Sequence, residues 1–410
     1  MASEKSNRNL HRNVWSVTLT SFFNDISSEM ILNLLPLFLY NILGVRTGII
    51  GLIEGISETT ASLLKLFSGW ISDRLRMRKP LAVLGYGLST LAKPFLYAAS
   101  TWGWVLGVRF ADRVGKGIRT APRDALLADS VSEKRRGLAF GLHRAGDTAG
   151  AVIGLGVALA VILAAEKKAI PFDRETFQTI VLLSLIPAGL AVLIIALTAV
   201  ETKVDKERKA PGLTLAGLSP SFRWFLLVMV VFTLGNSSDA FLILRAENAG
   251  LSVSGILGMM ITFNLVYTIA SSPAGALSDK IGRKQLLTAG WIVYGLVYLG
   301  FAFASSGSQT WVLMAVYGLY YGLTEGTAKA FVADLVPSDQ RGTAYGVFHA
   351  AVGITAFPAS LAAGILWQGV GSWAGWGPSA PFVFGSVLSL IAIVLLHMKP
   401  ATARVQEESS

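Results

Sequence analysis

Twelve apolar stretches constrain this chain more than any other feature. Crossing the hydrocarbon of a bilayer takes about 20 residues of helix. Stretches of that order fall near 14–42, 47–71, 80–100, 104–128, 137–165 and 175–200, then near 222–245, 252–276, 286–306, 311–334, 342–367 and 380–398, the third and ninth being short. Of 410 residues 53% are hydrophobic and only 15% charged, too little charge to coat a soluble chain of this size. The expected fold class is an all-α membrane protein with twelve transmembrane helices.

The polar segment between the sixth and seventh stretches divides the chain. Residues 1–200 read as an N-terminal half of six helices, 201–221 as a cytoplasmic linker, 222–400 as a second half of six, and 401–410 as a cytoplasmic tail. The linker holds Lys203, Lys206, Arg208, Lys209 and the turn-forming Pro211-Gly212 pair. If both termini and the linker share one side, the opposite loops keep only four basic residues, Arg46, Lys167, Lys168 and Arg174. Basic loops stay in the cytoplasm, so both termini are expected there, in a cell (inner) membrane. The net charge of +10 is then topological and does not point to nucleic acid. Asp25 and Glu29 within the first stretch, with no small-residue cleavage pattern after it, argue against a cleaved signal peptide. There are no cysteines, which excludes disulfides and thiolate metal sites.

An internal repeat organises the halves. Gly69-Trp70-Ile71-Ser72-Asp73-Arg74 returns as Gly275-Ala276-Leu277-Ser278-Asp279-Lys280. Ala125, Ala128, Asp129, Val131, Arg136, Gly137, Ala139 and Gly141 match Ala330, Ala333, Asp334, Val336, Arg341, Gly342, Ala344 and Gly346, all at a spacing of 205. Eight identities in one register are more than shared hydrophobicity produces. Two pseudo-symmetric six-helix halves are expected to enclose a midplane cleft that opens to either side.

On these residues the chain resembles the major facilitator superfamily over essentially its whole length. The loop signature of that family between spans two and three is Gly-x-x-x-Asp-Arg-x-Gly-Arg-Arg/Lys. Here it reads Gly69, Asp73, Arg74, Arg76, Met77, Arg78 and Lys79, with Arg76 in place of the second glycine. The copy between spans eight and nine is nearly complete: Gly275, Asp279, Lys280, Gly282, Arg283 and Lys284. The resemblance implies a cytoplasmic gate, with Gly69, Asp73, Arg74, Asp129, Arg136, Gly275, Asp279, Lys280, Arg283, Asp334 and Arg341 as its residues. Arg76, Arg78 and Lys79 read rather as basic anchors. In span five, Gly146, Gly150 and Gly154 resemble the glycine motif of members that export by antiport, although Ala151 replaces its proline and Leu155 its last glycine. Small residues four apart equally suit any tight helix pair.

The charges inside the spans carry the functional signal. Arg109, Asp112, Arg113, Lys116, Arg119, Arg123 and Asp124 lie in span four. At about 100° per residue they fall within roughly −80° to +60° of Arg109, a single face. Each charge costs about 2.5–3.5 kcal/mol at mid-span, so this face must meet water or acids. Arg109, Arg113 and Lys116 are read as attracting an anionic group on a solute, with Asn24, Asn236 and Tyr321 as further binding residues. Asp25, Glu29, Asp147, Asp239 and Glu325 are the candidate carriers of a coupling proton, since a carboxylate in a low-dielectric cleft loads and unloads near neutrality. The competing reading is a static salt-bridge network, or gating pairs near the cytoplasmic end, favoured for Arg119, Arg123, Asp124 and Asp129. Tyr294, Tyr298, Tyr317, Tyr320 and Tyr321 form either a stacking wall for the solute or ordinary packing.

Proton-coupled export of an anionic or amphiphilic small molecule by a monomer is the leading expectation. Its alternatives are proton-coupled uptake of an anionic metabolite and a non-transporting receptor. No nucleophile–base arrangement, phosphate loop, cofactor motif or metal-ligand spacing supports an enzyme.

Overall fold

The computed structural model describes residues 11–75, 77–131, 136–168, 172–201, 219–336 and 341–398. Linker residues 202–218 and the tail 401–410 lie outside the described residues. Twelve helical spans follow in chain order. Helix α1 (Arg12–Leu32) continues through a short turn, Leu35–Leu37, and a π segment, Phe38–Ile42. Then come α2 (Thr47–Leu75), α3 (Lys79–Ala92, extended by the 3-10 turn Lys93–Leu96), α4 (Trp102–Asp129), α5 (Arg136–Glu166) and α6 (Arg174–Thr198). Helix α7 (Pro220–Gly235) breaks and resumes as Ala240–Asn248. The remaining spans are α8 (Val253–Ile281), α9 (Arg283–Phe303), α10 (Gly307–Asp334), α11 (Arg341–Gln368) and α12 (Ala380–His397). Among the described residues there is no strand, only an isolated bridge between Val370 and Trp373.

Local chemistry sets the helix ends. Thr101, Asp173, Ser219, Ser252 and Ser306 each cap a helix start by accepting from the N–H three residues on. Gly282, at φ 95°, makes the corner between α8 and α9 that a side chain would resist. The Glu201 carboxylate accepts from the N–H groups of Arg78 and Lys79, capping α3 from a distant part of the chain. Arg245 donates to the carbonyls of Phe301 and Ala304, neutralising the C-terminal end of α9.

Seven spans are apolar enough throughout to cross a membrane by length and hydropathy alone: α5 to α9, α11 and α12. The other five include α4, with its eight charges, and α3, with 14 residues before its 3-10 turn. Polar interiors, not shortness, lower the hydropathy of α1, α2, α4 and α10.

The chain packs as two compact units, residues 1–34 with 63–210, and residues 35–62 with 211–410. In the first, α5 lies against α1 along a glycine seam. A methyl group added at Gly150 or Gly154 would sit 2.4 Å from the carbonyl oxygen of Phe22 or Ile26. Backbone contact accounts for this glycine stripe, so it says nothing about the direction of transport. Helices α3 and α4 cross as closely at Gly85 and Gly115. In the second unit, residues 47–62 of α2 pack on α11, with Thr47 and Thr59 hydroxyls donating to the carbonyls of Gly364 and Gly353. Its core is aromatic: Trp291, Tyr294, Tyr298, Tyr317, Phe241, Phe301 and Phe382 are almost fully buried.

Candidate functional site

In the first unit the charged face of α4 turns inward. Arg109, Arg113 and Arg119 are only 4%, 3% and 6% exposed. Arg119 donates to Ser89 Oγ at 2.6 Å and lies 4.5 Å above the Tyr86 ring. That cation–π contact compensates a desolvated guanidinium. Asp112 sits 3.7 Å from the Arg113 Nε. Arg123 pairs with Asp124 at 2.8 Å and donates to Ser21 Oγ on α1 at 3.1 Å.

The acids of α1 meet this face. Asp25 interacts electrostatically with Arg119, Arg123 and Asp147, and Glu29 with Arg113 and Lys116. Asn24 donates to Asp25 at 3.0 Å, and Asn33 to Glu29 at 2.8 Å. Asp147 on α5 pairs with His143 at 3.3 Å. Asn24, Asp25, Glu29, Arg109, Arg113, Lys116 and Asp147 therefore belong to one polar interior.

Lys93, at the end of α3, completes it and was not anticipated. Its Nζ donates to Ser27 Oγ at 2.6 Å and to Ser28 Oγ at 3.2 Å. Ser28, Lys93, Arg109 and Asp112 line a cavity of about 20 Å³, room for a single water. A lysine inside an apolar stretch was the available signal.

The second unit holds Asn236, Asp239, Tyr321 and Glu325. Asn236 and Asp239 lie in the break of α7. The Tyr317 hydroxyl is 3.1 Å from Asp239 Oδ1 and 3.4 Å from Asn236 Oδ1. The Tyr298 hydroxyl reaches the same Asn236 oxygen at 3.4 Å. Tyr321 makes edge contacts with Tyr317, Phe263 and Tyr267. Glu325 pairs with Lys329 at 2.9 Å and accepts from the Tyr267 hydroxyl.

At the helix ends joined by the short loops, Asp334 pairs with Arg283 at 2.8 Å, and Asp129 lies 3.5 Å from Arg78. Arg78, read from sequence as an anchor, is 6% exposed and also donates to Ser72 Oγ at 2.9 Å. It stands 205 residues before Arg283, and that register could have revealed it. Arg74 stacks on Trp70, and Lys280 is exposed. Gly69 approaches Ala121, whereas Gly275 faces open space. The side chains of Asp73, Arg136, Asp279 and Arg341 lie outside the described residues.

Comparison with known proteins agrees with this architecture. The family model described as Major Facilitator Superfamily matches residues 17–261 and 225–410. The uncharacterized MFS-type transporter MJ1317 of Methanocaldococcus jannaschii is 38% identical over 407 residues, covering 96% of both chains. Quinolone resistance protein NorA of Staphylococcus aureus is 27% identical over 156 residues, 37% of this chain and 38% of that protein. The crystal structure of the POT family transporter PepTSo superposes with a TM-score of 0.78 at 13% identity, covering 98% of this chain and 99% of the other. The chain belongs to the Major Facilitator Superfamily and is an integral membrane transporter of twelve helices, a carrier and not an enzyme.

Proposed function

We propose that the protein exports a small anionic or amphiphilic solute in exchange for protons, by alternating access between two six-helix halves, residues 1–200 and 222–400. On this reading it sits in the cytoplasmic membrane with both termini and the linker inside, following the basic loops. One observation carries the proposal. Three arginines of α4 are buried in the first unit, on a face also bearing Lys116. So much buried positive charge is retained at a cost, and an anionic group on the solute gives it a use. Asp25 and Glu29 are the best supported proton carriers. They face that same cationic patch, so protonation there alters the field an anion meets. Asp147 and Glu325 already have partners in His143 and Lys329. The likeness to NorA supports export over uptake. The ion pairs Arg78–Asp129 and Arg283–Asp334 serve as halves of a cytoplasmic gate on this reading.

The test is reconstitution into liposomes with an imposed pH gradient and a panel of labelled anionic metabolites and amphiphiles. Arg113→Ala and Lys116→Ala should abolish gradient-driven movement while inserting into the membrane normally. Normal transport by both variants would remove the anion site, and indifference to an uncoupler would remove the proton.

A further inference from the structure

Non-helical backbone at membrane depth is tolerated only where protein groups satisfy it. The break in α7, Asn236-Ser237-Ser238-Asp239, meets that demand. Asn236 N–H donates to the carbonyls of Phe232 and Thr233, and the Tyr294 hydroxyl donates to Gly235 O at 2.8 Å. Ser238 N–H reaches Ser360 Oγ, and Ala240 N–H reaches Ser238 Oγ, both at 3.3 Å. Beyond these backbone bonds, the break holds a surplus of side-chain oxygen. Asp239 starts the resumed helix but does not cap it with its side chain. Its hydrogen bond goes to Tyr317, whose one proton faces two acceptors, Asp239 Oδ1 and Asn236 Oδ1. Ser237, 6% exposed, has an Oγ without a well-formed hydrogen bond; its one contact of that kind is a marginal one with the Tyr298 hydroxyl.

The charge around this cluster is one-sided. The groups that face Asp239 are Glu54 and Glu58 from α2, Tyr298 from α9, and Tyr317, Tyr320 and Tyr321 from α10. None of these is basic. Asp239 itself keeps partial exposure, as do Asn236 and Ser238, so an ion has a way in.

We propose that the α7 break binds a monovalent metal cation, with Asp239 Oδ1, Asn236 Oδ1, Ser237 Oγ and the Tyr317 hydroxyl oxygen as ligands. The chemistry is that of a hard cation: all-oxygen donors, one carboxylate, and an unwound transmembrane helix supplying them. The spacing fits a bare ion. Calcium, a hard cation, binds oxygen at about 2.3–2.6 Å, which puts ligands at right angles roughly 3.3–3.7 Å apart. The Tyr317 oxygen lies 3.1 Å from Asp239 Oδ1 and 3.4 Å from Asn236 Oδ1, close to that separation. A monovalent ion fits the ligand set, in which Asp239 is the one carboxylate, while Glu54 and Glu58 add negative potential from α2. No group of three Asp, Glu, His or Cys able to hold a metal occurs among the described residues, as a divalent or transition ion would favour. The site stands independently of the proton carriers proposed on α1.

Thermal unfolding of the purified full-length protein in detergent tests this. NaCl, LiCl, KCl and tetramethylammonium chloride would each be titrated against N-methyl-D-glucamine chloride at equal ionic strength. At least one metal ion should raise the midpoint saturably, by about 3–5 °C at a hundredfold excess over its Kd. Asp239→Asn should abolish the shift, Ser237→Ala should weaken the apparent affinity about tenfold, and Asp173→Asn, outside the spans, should leave it unchanged. If Asp239→Asn does not fold, the Ser237→Ala titration decides alone. An equal response to N-methyl-D-glucamine, a response only to tetramethylammonium, or a full shift in Asp239→Asn or Ser237→Ala would overturn the site. Loss of proton-driven transport in Glu29→Gln with the metal shift intact would leave both readings standing separately.

Discussion

A step of 205 residues carries Lys93 to Tyr298, Ser89 to Tyr294, Asp112 to Tyr317 and Lys116 to Tyr321. The same step carries Gly85 to Gly290 and Arg119 to Thr324, and in each unit that glycine packs against that partner. It also carries Arg78 to Arg283 and Asp129 to Asp334, and both pairs are ion pairs. A step of 210 carries Ser27-Ser28-Glu29 to Ser237-Ser238-Asp239. In one unit the serines are reached by Lys93; in the other, the oxygens beside them are reached by Tyr298 and Tyr317. The duplicated parts are those that set how helices approach and how loops are tied. The parts that diverged are the polar tips pointing inward, ionic in the first unit and phenolic in the second. Scaffold and chemistry have separated along one register.

If that contrast is real, equivalent substitutions should have unequal costs. Lys93→Met removes a buried ammonium that donates to Ser27 and Ser28 and acts electrostatically on Asp112, and should lower stability by about 1.5–3 kcal/mol, the range for hydrogen bonds to a charged group. Tyr298→Phe removes a long, neutral hydrogen bond and should lower it by only about 0.5–1.5 kcal/mol. Denaturation midpoints of the two purified variants check this, and similar losses would erase the asymmetry.

The gate-side pairs should differ in the same sense. Arg78→Gln strips a buried guanidinium from Asp129 and Ser72 and should cost about 1.5–3 kcal/mol. Arg283→Gln removes a pair whose partner, Asp334, is half exposed, worth about 0–1 kcal/mol. Equal midpoints for the two variants would mean that burial does not distinguish the copies.

Much of this was legible beforehand, and the exceptions have causes. Periodicity and length revealed the twelve spans, because each helix has to satisfy its own backbone in lipid. The angular clustering of charge on α4 foretold a buried face, because lipid excludes it. The break in α7 escapes the span reading: 222–245 counts as one stretch although Gly235-Asn236-Ser237-Ser238-Asp239 within it is polar, and the groups that hold it open, Tyr294 and Tyr317, lie about 60 and 80 residues away. Lys93 went unread as a site residue because its partners Ser27 and Ser28 are 65 or more residues distant. Residues 35–62 belong to the first repeat by sequence yet cluster with the second unit, since packing follows proximity and not descent.

A further effect, common to neither interior, is expected outside the membrane. Asp173 caps α6, and the backbone N–H of Thr176 holds its carboxyl below the usual carboxylate range. A depressed folded-state value means the contribution is complete above the ordinary carboxylate pKa and fades as pH falls through the lower one. Asp173→Ala should cost about 0.5–2 kcal/mol at neutral pH and less once the pH falls below the depressed carboxyl's own titration. A cost independent of pH would show that the cap does not act through its charge.

The central claim is that the ionic interior of the first unit, not the phenolic interior of the second, recognises the charged part of the solute. The most direct measurement compares Lys116→Ala with Tyr321→Phe, its counterpart at +205, for proton-driven transport in liposomes of matched protein content. The account predicts at least a hundredfold loss for Lys116→Ala and less than tenfold for Tyr321→Phe. Comparable losses, or a greater one at Tyr321, would contradict it.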